Sequence, residues 1–553
     1  MKRLFLFLLL APLCFSTAVV NSLDGRDVVS TIYYAAVTGE TVVFVPPASD
    51  GQIAYGKIGT GQDILLVQSA ASPVITGMAD GLRNGGNTVE MLVSEEPYET
   101  NLALAERSGA KKFVLVDPVY GYNAVSALAY AKLNSMYLIF VDKSNMEAVV
   151  SFLKGKNPQD ILVYGYVDNE VKTSMAGNSL GYREINNGDK FDDNIELAGL
   201  YFQANPSKKQ VILSDGNAFE DTLIAGDDPA ILISPIVPTA TYNYMKQEAG
   251  NGQIGVAMVV DTEYAQTAYD MKESINRELG SEKLHVLVKF GQSIAGMGMV
   301  DVEFFPVPGP VAGLEIGNVE YNTNSNELEV TYENTGNALE YVKSRIIVFV
   351  DGNYAGTVGE EEPVAIGRGE RIGIGYPVDV ESGEITANIT SFYGSSKKYT
   401  ENGLQGVFNA GRVEFSDRSM LGITEFTEDR ETNDILVTFT NGGNITAYFR
   451  PDATITVQGT STKIKDENTY ELAAGEGRIV KFPGIAKSGS AIVAGADYGS
   501  REAFLEKRVE KEYTPAPAGL GFPLDSSLLY IIVILALIGA VGYLVWDKTR
   551  AKR

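Results

Sequence analysis

The stretch KFDDNIELAGLYFQANPSKKQVILSDGNAFEDTLIAGDDPAILISP, residues 190–235, sets the fold of the first half of the chain. Apolar residues recur at helical spacing from Ile195 to Phe202, and an all-apolar run follows from Val211 to Leu213. A short helix is predicted around Leu223, followed by a buried strand at Ala230 to Ile233. Short apolar runs that alternate with helices are typical of parallel α/β units. The stretch therefore predicts one such unit.

The same order of elements occurs earlier in the chain. Placing Tyr98 to Leu102 on Phe191 to Ile195 gives an offset of 93 residues, and the later strands keep nearly that spacing. A less regular copy covers Asp24 to Val93. Similarity at a fixed spacing indicates an internal repeat. We therefore predict an α/β head of three parallel-sheet units over residues 19–305, in which residues 262–300 form either a further half unit or a closing element.

Composition limits the number of domains and the kinds of partner. A chain of 553 residues is too long for one ordinary core, which predicts several domains. The 70 acidic and 45 basic residues give a net charge of −25, which argues against nucleic acid as a partner. The single cysteine, Cys14, lies in the leader, so a mature chain has no disulfide framework and no cysteine metal site.

Both ends of the chain carry apolar runs. Met1-Lys2-Arg3, the run Leu4 to Phe15 and the small residues up to Ala18 have the pattern of a secretory signal peptide, predicted as residues 1–18. Near the other end, a Pro/Gly linker at residues 511–527 precedes Leu528 to Trp546, which has no charged residue. This run predicts a transmembrane helix at 528–546, a cytoplasmic tail at 547–553 and the N-terminus outside.

The motif Phe219-Glu220-Asp221-Thr222-Leu223-Ile224-Ala225, followed by the Ala230 to Ile233 strand, resembles the cell-wall-binding repeat 2 family of prokaryotic surface proteins. Ile64 to Leu66 and Leu138 to Phe140 are the equivalent strands in the other two units. The resemblance covers about residues 24–260. It implies three tandem copies packed around a pseudo-threefold axis and an anionic cell-wall polymer as the ligand.

The pattern changes after Phe304 to Pro310, where three prolines in five residues exclude a helix or a central strand and predict the main domain boundary. Beyond it the apolar period is two, and Leu314 to Asn337 matches Leu421 to Asn444 at an offset of 107. This duplication predicts two all-β immunoglobulin-like sandwiches, at residues 311–410 and 411–510.

The turn Asn334-Thr335-Gly336-Asn337 resembles the CARDB-like adhesion modules of prokaryotic surface proteins. Two sequons in this half, at Asn388 and Asn444, predict N-glycosylation.

Catalytic chemistry has few candidate residues. The only histidine, His285, lies in an alternating strand pattern, and a mature chain lacks a cysteine, so the usual zinc and Cys-His sites have no ligands. We therefore expect a non-enzymatic, membrane-anchored surface protein that attaches or assembles a cell envelope or S-layer. A ligand-binding receptor or adhesin head and an envelope enzyme are the two alternatives.

The strong negative charge favours a divalent cation, with calcium as the candidate cofactor, to bridge copies or to link the head to its partner. We expect that partner to be a surface-layer protein, an envelope polymer or a second copy of the chain. The acidic residues predicted to bind a ligand or ion are Asp192, Asp193, Glu220, Asp221, Asp227 and Asp228.

Overall fold

The computed structural model describes residues 17–45, 51–294, 298–300, 302–398, 400–429, 434–457, 460–466, 468–482 and 491–514. Its first half contains three α/β units, each built on a four-stranded parallel sheet. The first unit consists of β1 (Thr17–Asn21), α1 (Gly25–Thr38), β2 (Thr41–Phe44), α2 (Gly51–Ile58), β3 (Asp63–Ser69), α3 (Met78–Asn84) and β4 (Thr88–Ser94).

The second and third units each begin with an additional helix. The second unit consists of α4 (Pro97–Ser108), β5 (Lys112–Val116), α5 (Gly121–Leu133), β6 (Met136–Phe140), α6 (Met146–Lys156), β7 (Asp160–Tyr164), α7 (Asn169–Gly177) and β8 (Arg183–Ile185). The third consists of α8 (Lys190–Ala204), β9 (Gln210–Ser214), β10 (Ala218–Phe219), α9 (Asp221–Ala225), β11 (Ala230–Leu232), α10 (Thr239–Gly250), β12 (Val256–Val259), a 3₁₀ turn (Thr262–Tyr264), α11 (Ala265–Leu279) and β13 (His285–Val288).

The prediction of three parallel units is confirmed, and the strand orders are the same in all three. They are β2-β1-β3-β4, β6-β5-β7-β8 and β11-β9-β12-β13. The third unit is longer than its predicted end at Val260, because β13 pairs in parallel with β12, with His285 opposite Val256. Residues 262–288 therefore complete this unit, and the short hairpin of β14 (Gln292–Ile294) and β15 (Gly298–Val300) follows it.

Strand β1 was not predicted, because its residues adjoin the apolar leader. All five residues of β1 are buried, and the strand pairs with both β2 and β3. The Thr17 hydroxyl donates a hydrogen bond to Gln62 Oε1 at 2.6 Å. The predicted cleavage point after Ala18, and with it the predicted head start at residue 19, therefore falls inside a paired strand.

One asparagine in each of the second and third units joins the first helix of the unit to its sheet. Asn101 Nδ2 donates to Leu138 O at 3.0 Å, and its Oδ1 accepts from Phe140 N. Asn194 makes the same pair of bonds, donating to Ala230 O at 2.8 Å and accepting from Leu232 N. The two residues are 93 positions apart, which matches the offset found in the sequence.

The proline-rich segment packs inside the head instead of forming an open linker. We call residues 305–308 the central segment; it includes the two-residue strand β16 (Phe305–Pro306), which pairs with β10. Gly121 N donates to Pro308 O, and Val307 N donates to Asn217 O, both at 2.9 Å. Gly25 lies so close that an added Cβ would be 2.7 Å from Pro306 O. The segment thus contacts the position that follows the first strand of each unit.

The second half of the chain contains two β modules with the same strand order. The first module consists of β17 (Leu314–Asn322), β18 (Glu327–Asn334), β19 (Glu340–Val350), β20 (Asn353–Gly359), β21 (Val364–Ile366), β22 (Arg371–Pro377), β23 (Ile385–Gly394) and β24 (Asn402–Val413). The second consists of β25 (Leu421–Asp429), β26 (Asp434–Asn441), β27 (Ala447–Val457), β28 (Thr460–Lys465), β29 (Tyr470–Leu472), β30 (Gly477–Phe482), β31 (Ala491–Gly499) and β32 (Lys507–Tyr513).

Each module has a single apolar core. In the first module, β20-β19-β23-β24-β17-β18-β22 form one continuous sheet, because β24 pairs in parallel with β17. In the second module, β25-β26-β30 and β28-β27-β31-β32 are two separate sheets. Strands β24 and β32 end three residues beyond the predicted module ends at 410 and 510.

The predicted membrane helix, Leu528 to Trp546, lies outside the described residues. No helix among the described residues has both the length and the apolar character needed to cross a bilayer.

Candidate functional site

The six acidic residues selected from the sequence form three separate pairs, each with its own partners. At the start of α8, the Asp192 carboxylate forms an ion pair with Lys398 of the first β module. The neighbouring Asp193 is buried and accepts a hydrogen bond from Asn187 N at 2.5 Å. Burial raises the pKa of Asp193 to about 7. Asp192 therefore takes part in the contact between the head and the first β module, whereas Asp193 is bonded within the head.

The other two pairs lie in the third unit, and one of their residues, Asp227, contacts the second unit. Glu220 is fully buried and caps α9 by accepting a hydrogen bond from Leu223 N at 2.7 Å. It also pairs with Lys289 at 2.6 Å, whereas its neighbour Asp221 is exposed. Asp227 pairs with Lys132 at 2.9 Å, and Asp228 pairs with Lys208 at 3.2 Å. Five of the six residues thus have a structural partner, which does not favour one shared ion site.

Among the described residues, a different acidic group has the spacing for a metal ion. Carboxylate oxygens of Glu327, Glu329 and Glu506 lie within 4.8 Å of one another, where the two β modules meet. Glu329 already receives two hydrogen bonds from Arg501, at 2.5 and 2.9 Å. The arginine therefore compensates much of the charge that a cation would neutralise.

The two sequons lie in different surroundings. Asn444 is exposed in the turn between β26 and β27, which leaves its side chain accessible. Asn388 is half-buried in β23, opposite Ile347 of β19 and Val407 of β24.

A cavity lies at the carboxyl ends of the parallel strands of the second unit, where open α/β sheets bind ligands. We call this cavity of about 220 Å³ the capped crevice, because the first β module covers it. Asp117 follows β5, Lys143 follows β6 and Asp168 follows β7, so the strand ends bring these three residues together. The remaining lining residues are Tyr120, Tyr166, Asn337, Ala338, Leu339 and Arg368.

The two aspartates at the floor of the capped crevice are almost fully buried. Asp117 accepts from Val119 N at 2.9 Å, which fixes the turn into α5. Burial raises the pKa of Asp117 to about 7, and the negative charge of Asp168 acts in the same direction. Asp168 is the residue before α7, and its Oδ2 accepts from Lys143 N at 3.2 Å.

Two contacts from the first β module close the capped crevice. Arg368 Nη2 donates to Asp168 Oδ2 at 3.3 Å, and Leu339 N donates to the Tyr120 hydroxyl at 3.0 Å. Burial lowers the pKa of Arg368, but the carboxylates of Asp168 and Asp117 outweigh this effect and raise it overall. The guanidinium therefore stays charged against two buried acids.

A second cavity of about 400 Å³, the basin, adjoins the capped crevice and shares Lys143 and Arg368 with it. It lies between the second unit of the head and both β modules. Its lining includes four cationic and three anionic side chains, which are Lys143, Arg368, Arg371, Arg450, Glu333, Glu370 and Glu502. Arg450 forms an ion pair with Glu370 and donates from Nη2 to Thr469 at 3.1 Å.

No sequence motif predicted the capped crevice or the basin. The only signal for the capped crevice in the sequence was that Asp117 and Asp168 each follow a buried strand. The other wall of the capped crevice comes from Leu339 and Arg368, which are about 200 residues away in the chain. Periodicity within the first half of the chain carries no information on that contact.

No family model and no curated protein matches the chain. Among solved structures, Cwp6 from Clostridium difficile aligns with a TM-score of 0.34 and 12% identity over 50% of this chain and 42% of its own. Cwp8 from Clostridium difficile aligns with a TM-score of 0.38 and 15% identity over 48% of this chain and 47% of its own. The YadV chaperone aligns with a TM-score of 0.15 and 11% identity over 36% of this chain and 98% of its own. This chain therefore spans less than half the length of the first two, and similarity at these scores carries no functional inference.

Proposed function

We propose that this chain is a non-enzymatic protein of the cell surface whose three-unit head is held at a fixed orientation by two β modules. The fixed junction between the head and the first β module carries the proposal. Lys190 pairs with Glu401 at 3.0 Å, and Lys397 N donates to Gly188 O at 3.0 Å. Together with the contact of Arg368 with Asp168, these bonds connect two parts of the molecule without an open linker.

The charge distribution at this junction supports a structural role. Ser396 hydrogen-bonds to Asp189, the residue that caps α8, and Lys398 pairs with the adjacent Asp192. Acidic residues at the start of the helix thus bind residues of the first β module. The chain as a whole has a net charge of −25, and these pairs place basic residues of the first β module against acidic residues of the head.

The assignment of the head to a repeat family and of the chain to a membrane rests on the internal repeats and the chain ends. We assign the head to a divergent form of the cell-wall-binding repeat, because three units share one strand order at spacings near 93 residues. We assign the modules to immunoglobulin-like sandwiches and the run Leu528 to Trp546 to a membrane anchor. The role proposed for the assembled protein is attachment or assembly of a cell envelope or S-layer.

Protease treatment of intact cells tests this proposal. The expected result is loss of the head and both β modules, with a membrane-bound fragment that contains the tail 547–553. An antibody against that tail should bind only after the cells are permeabilised. A full-length chain that resists protease until the cells are lysed would contradict the surface location.

The capped crevice favours ligand binding as a second function. It has the position of a ligand site in a parallel sheet, and its walls come from two parts of the molecule. A receptor or adhesin role is compatible with surface display.

A further inference from the structure

We propose that the capped crevice and the basin together bind a sugar ring that carries a carboxylate, with the ring hydroxyls in the capped crevice and the carboxylate in the basin. This inference goes beyond surface display, because it concerns binding by the purified chain wherever the chain is located. It rests on the position of the site, the balance of charge along it, the partly used donors in the basin and the chemistry of the floor.

The position is set by the topology of the second unit. Loops at the carboxyl ends of β5, β6 and β7 form the floor, and the first β module forms the opposite wall. The two cavities share Lys143 and Arg368, so they are parts of one continuous site. Their volumes, about 220 and 400 Å³, suit one sugar ring with its substituents, since pockets for larger ligands run to roughly 1,000 Å³.

The balance of charge changes along the site. In the capped crevice two acids, Asp117 and Asp168, face two cations, Lys143 and Arg368, so the charges balance. The basin holds four cationic side chains against three glutamates, which leaves one positive charge in excess. An anionic ligand is therefore expected to bind in one orientation, with its charged group in the basin.

The basin has arginine donors that the protein uses only in part. Arg371 has a side chain that is 49% exposed, and its Nε is 4.0 Å from the nearest oxygen of Glu333. Within the part of the chain that the structure describes, Arg450 Nε is buried and has no hydrogen-bond partner. Guanidinium groups bind carboxylates through paired, charge-assisted hydrogen bonds. Arg371 thus suits a ligand carboxylate, and Arg450, which already pairs with Glu370, adds positive charge beside it.

The floor suits hydroxyl groups better than a cation. Arg368 already neutralises Asp168 through the contact at 3.3 Å, and burial favours the protonated form of Asp117. A ligand ammonium therefore gains little attraction there. Carboxyl groups and the phenols of Tyr120 and Tyr166 supply the mixed acceptors and donors that sugar hydroxyls need.

Isothermal titration of the full-length chain, purified in mild detergent, tests the proposal with D-glucuronate as the probe. D-Glucose lacks the carboxylate, acetate lacks the ring, and D-glucosamine carries an ammonium group instead. We expect glucuronate to bind at least tenfold more tightly than each of the three. Equal binding of acetate, tighter binding of glucosamine, or no binding of glucuronate would overturn the proposal.

Two variants locate the site. Arg371→Gln should weaken glucuronate binding at least tenfold, and it should leave the thermal unfolding profile unchanged because the side chain is half-exposed. Arg345→Gln is the matched control, since Arg345 is an exposed arginine of β19 that lines neither cavity, and it should bind glucuronate like the parent chain. Unchanged binding by folded Arg371→Gln would assign the ligand to another site.

Discussion

Glu340 is a fully buried carboxylic acid at the start of β19 in the first β module. It lies opposite Ile366, and the equivalent position in the second β module, opposite Leu472, is Ala447. Burial raises the pKa of Glu340 from 4.5 to about 7, because the charged form loses its hydration. The two modules therefore share a fold but are expected to differ in how their stability depends on pH.

The first prediction concerns this pH dependence. Because the folded-state pKa of Glu340 is above its ordinary value, the folded chain keeps this proton longer than the unfolded chain does. The free energy of unfolding should therefore fall as pH rises from about 4.5 to about 7, by about 3 kcal/mol at most from this group.

Glu340→Gln should remove this part of the slope. Urea unfolding at pH 4.5 and at pH 8 measures the effect: the unfolding free energy of the variant minus that of the parent chain should be larger at pH 8. The control is Glu315→Gln, which changes an exposed carboxylate of β17. Parallel pH profiles for the parent chain and Glu340→Gln would contradict the prediction.

The second prediction concerns the buried asparagine that ends β18 and precedes the turn to β19. Asn334 Nδ2 donates to Ala338 O and Ile366 O, at 2.8 and 2.9 Å, and Asn441 makes the equivalent bonds in the second module. Asn334→Ala should lower the free energy of unfolding by about 2 kcal/mol, because two buried carbonyl groups lose their donor. Differential scanning calorimetry measures the change.

The exposed Asn353 of β20 offers a control for that substitution. Asn353→Ala should change the unfolding free energy by no more than about 0.5 kcal/mol. If the two alanine variants melt alike, the buried hydrogen bonds are not what stabilises the turn. The sequence predicted this turn through its Asn and Gly residues, but not its side-chain bonds, since the accepting carbonyl of Ile366 lies on a strand 32 residues away.

At the scale of elements, the central segment shows what periodicity can and cannot predict. Three closely spaced prolines correctly predicted that no helix forms here. Because proline has no backbone N–H, such a segment can accept hydrogen bonds from its neighbours but donates few. Pro308 accepts from Gly121 N, while Val307 donates to Asn217 O. The packing of this segment depends on contacts with loops that are far away in the chain, so no local pattern reveals it.

The third prediction tests the packing of the central segment. A Cβ added to Gly121 would be 2.3 Å from Pro308 O, so Gly121→Ala should lower the free energy of unfolding of the full chain by on the order of 2 kcal/mol. Chemical denaturation measures the loss. Gly155→Ala is the control, because Gly155 is an exposed helical glycine with nothing within 4 Å of an added Cβ.

Gly155→Ala should be neutral or stabilising by up to about 1 kcal/mol, as expected for alanine in a helix. Equal stability of both alanine variants would show that the central segment does not pack against α5 as described.

Most of the head could be predicted from the sequence, since buried strands such as β9 and amphipathic helices such as α8 have clear periods. Strand β1 could not, because a continuous apolar run has the same composition in a signal peptide as in a buried parallel strand. Asp192 and Glu220, which were predicted to bind a ligand or ion, lie at the starts of α8 and α9, and their lysine partners come from other elements. The candidate site was not predicted for the same reason, because the residues of its two walls are far apart in the sequence.

At the scale of the whole molecule, one arginine connects the two β modules. Arg501 follows β31 in the second module and forms two hydrogen bonds with Glu329 of β18 in the first. Its guanidinium also lies over the rings of Phe415 and Phe504, at 3.9 and 4.1 Å from their centroids. A planar cation between two rings and a buried carboxylate restricts the angle between the modules.

The fourth prediction follows from this joint. Arg501→Ala should leave both β modules folded but allow a wider range of angles between them, because Glu329 loses its bidentate partner. Small-angle scattering of the full chain in detergent should show a larger radius of gyration, with circular dichroism unchanged. Arg418→Ala, which alters an exposed arginine in the connection between the modules, should scatter like the parent chain. An unchanged radius for Arg501→Ala would mean that other contacts hold the joint.

The central segment also determines how the head responds to a mechanical pull. The chain leaves the head through residues 305–308, which contact the start of α1, the start of α5 and the loop after β9. A force that pulls on this segment is therefore expected to act on all three units at once. A head built in this way should unfold in a force spectrometer as one event at high force, and not as three steps of equal size.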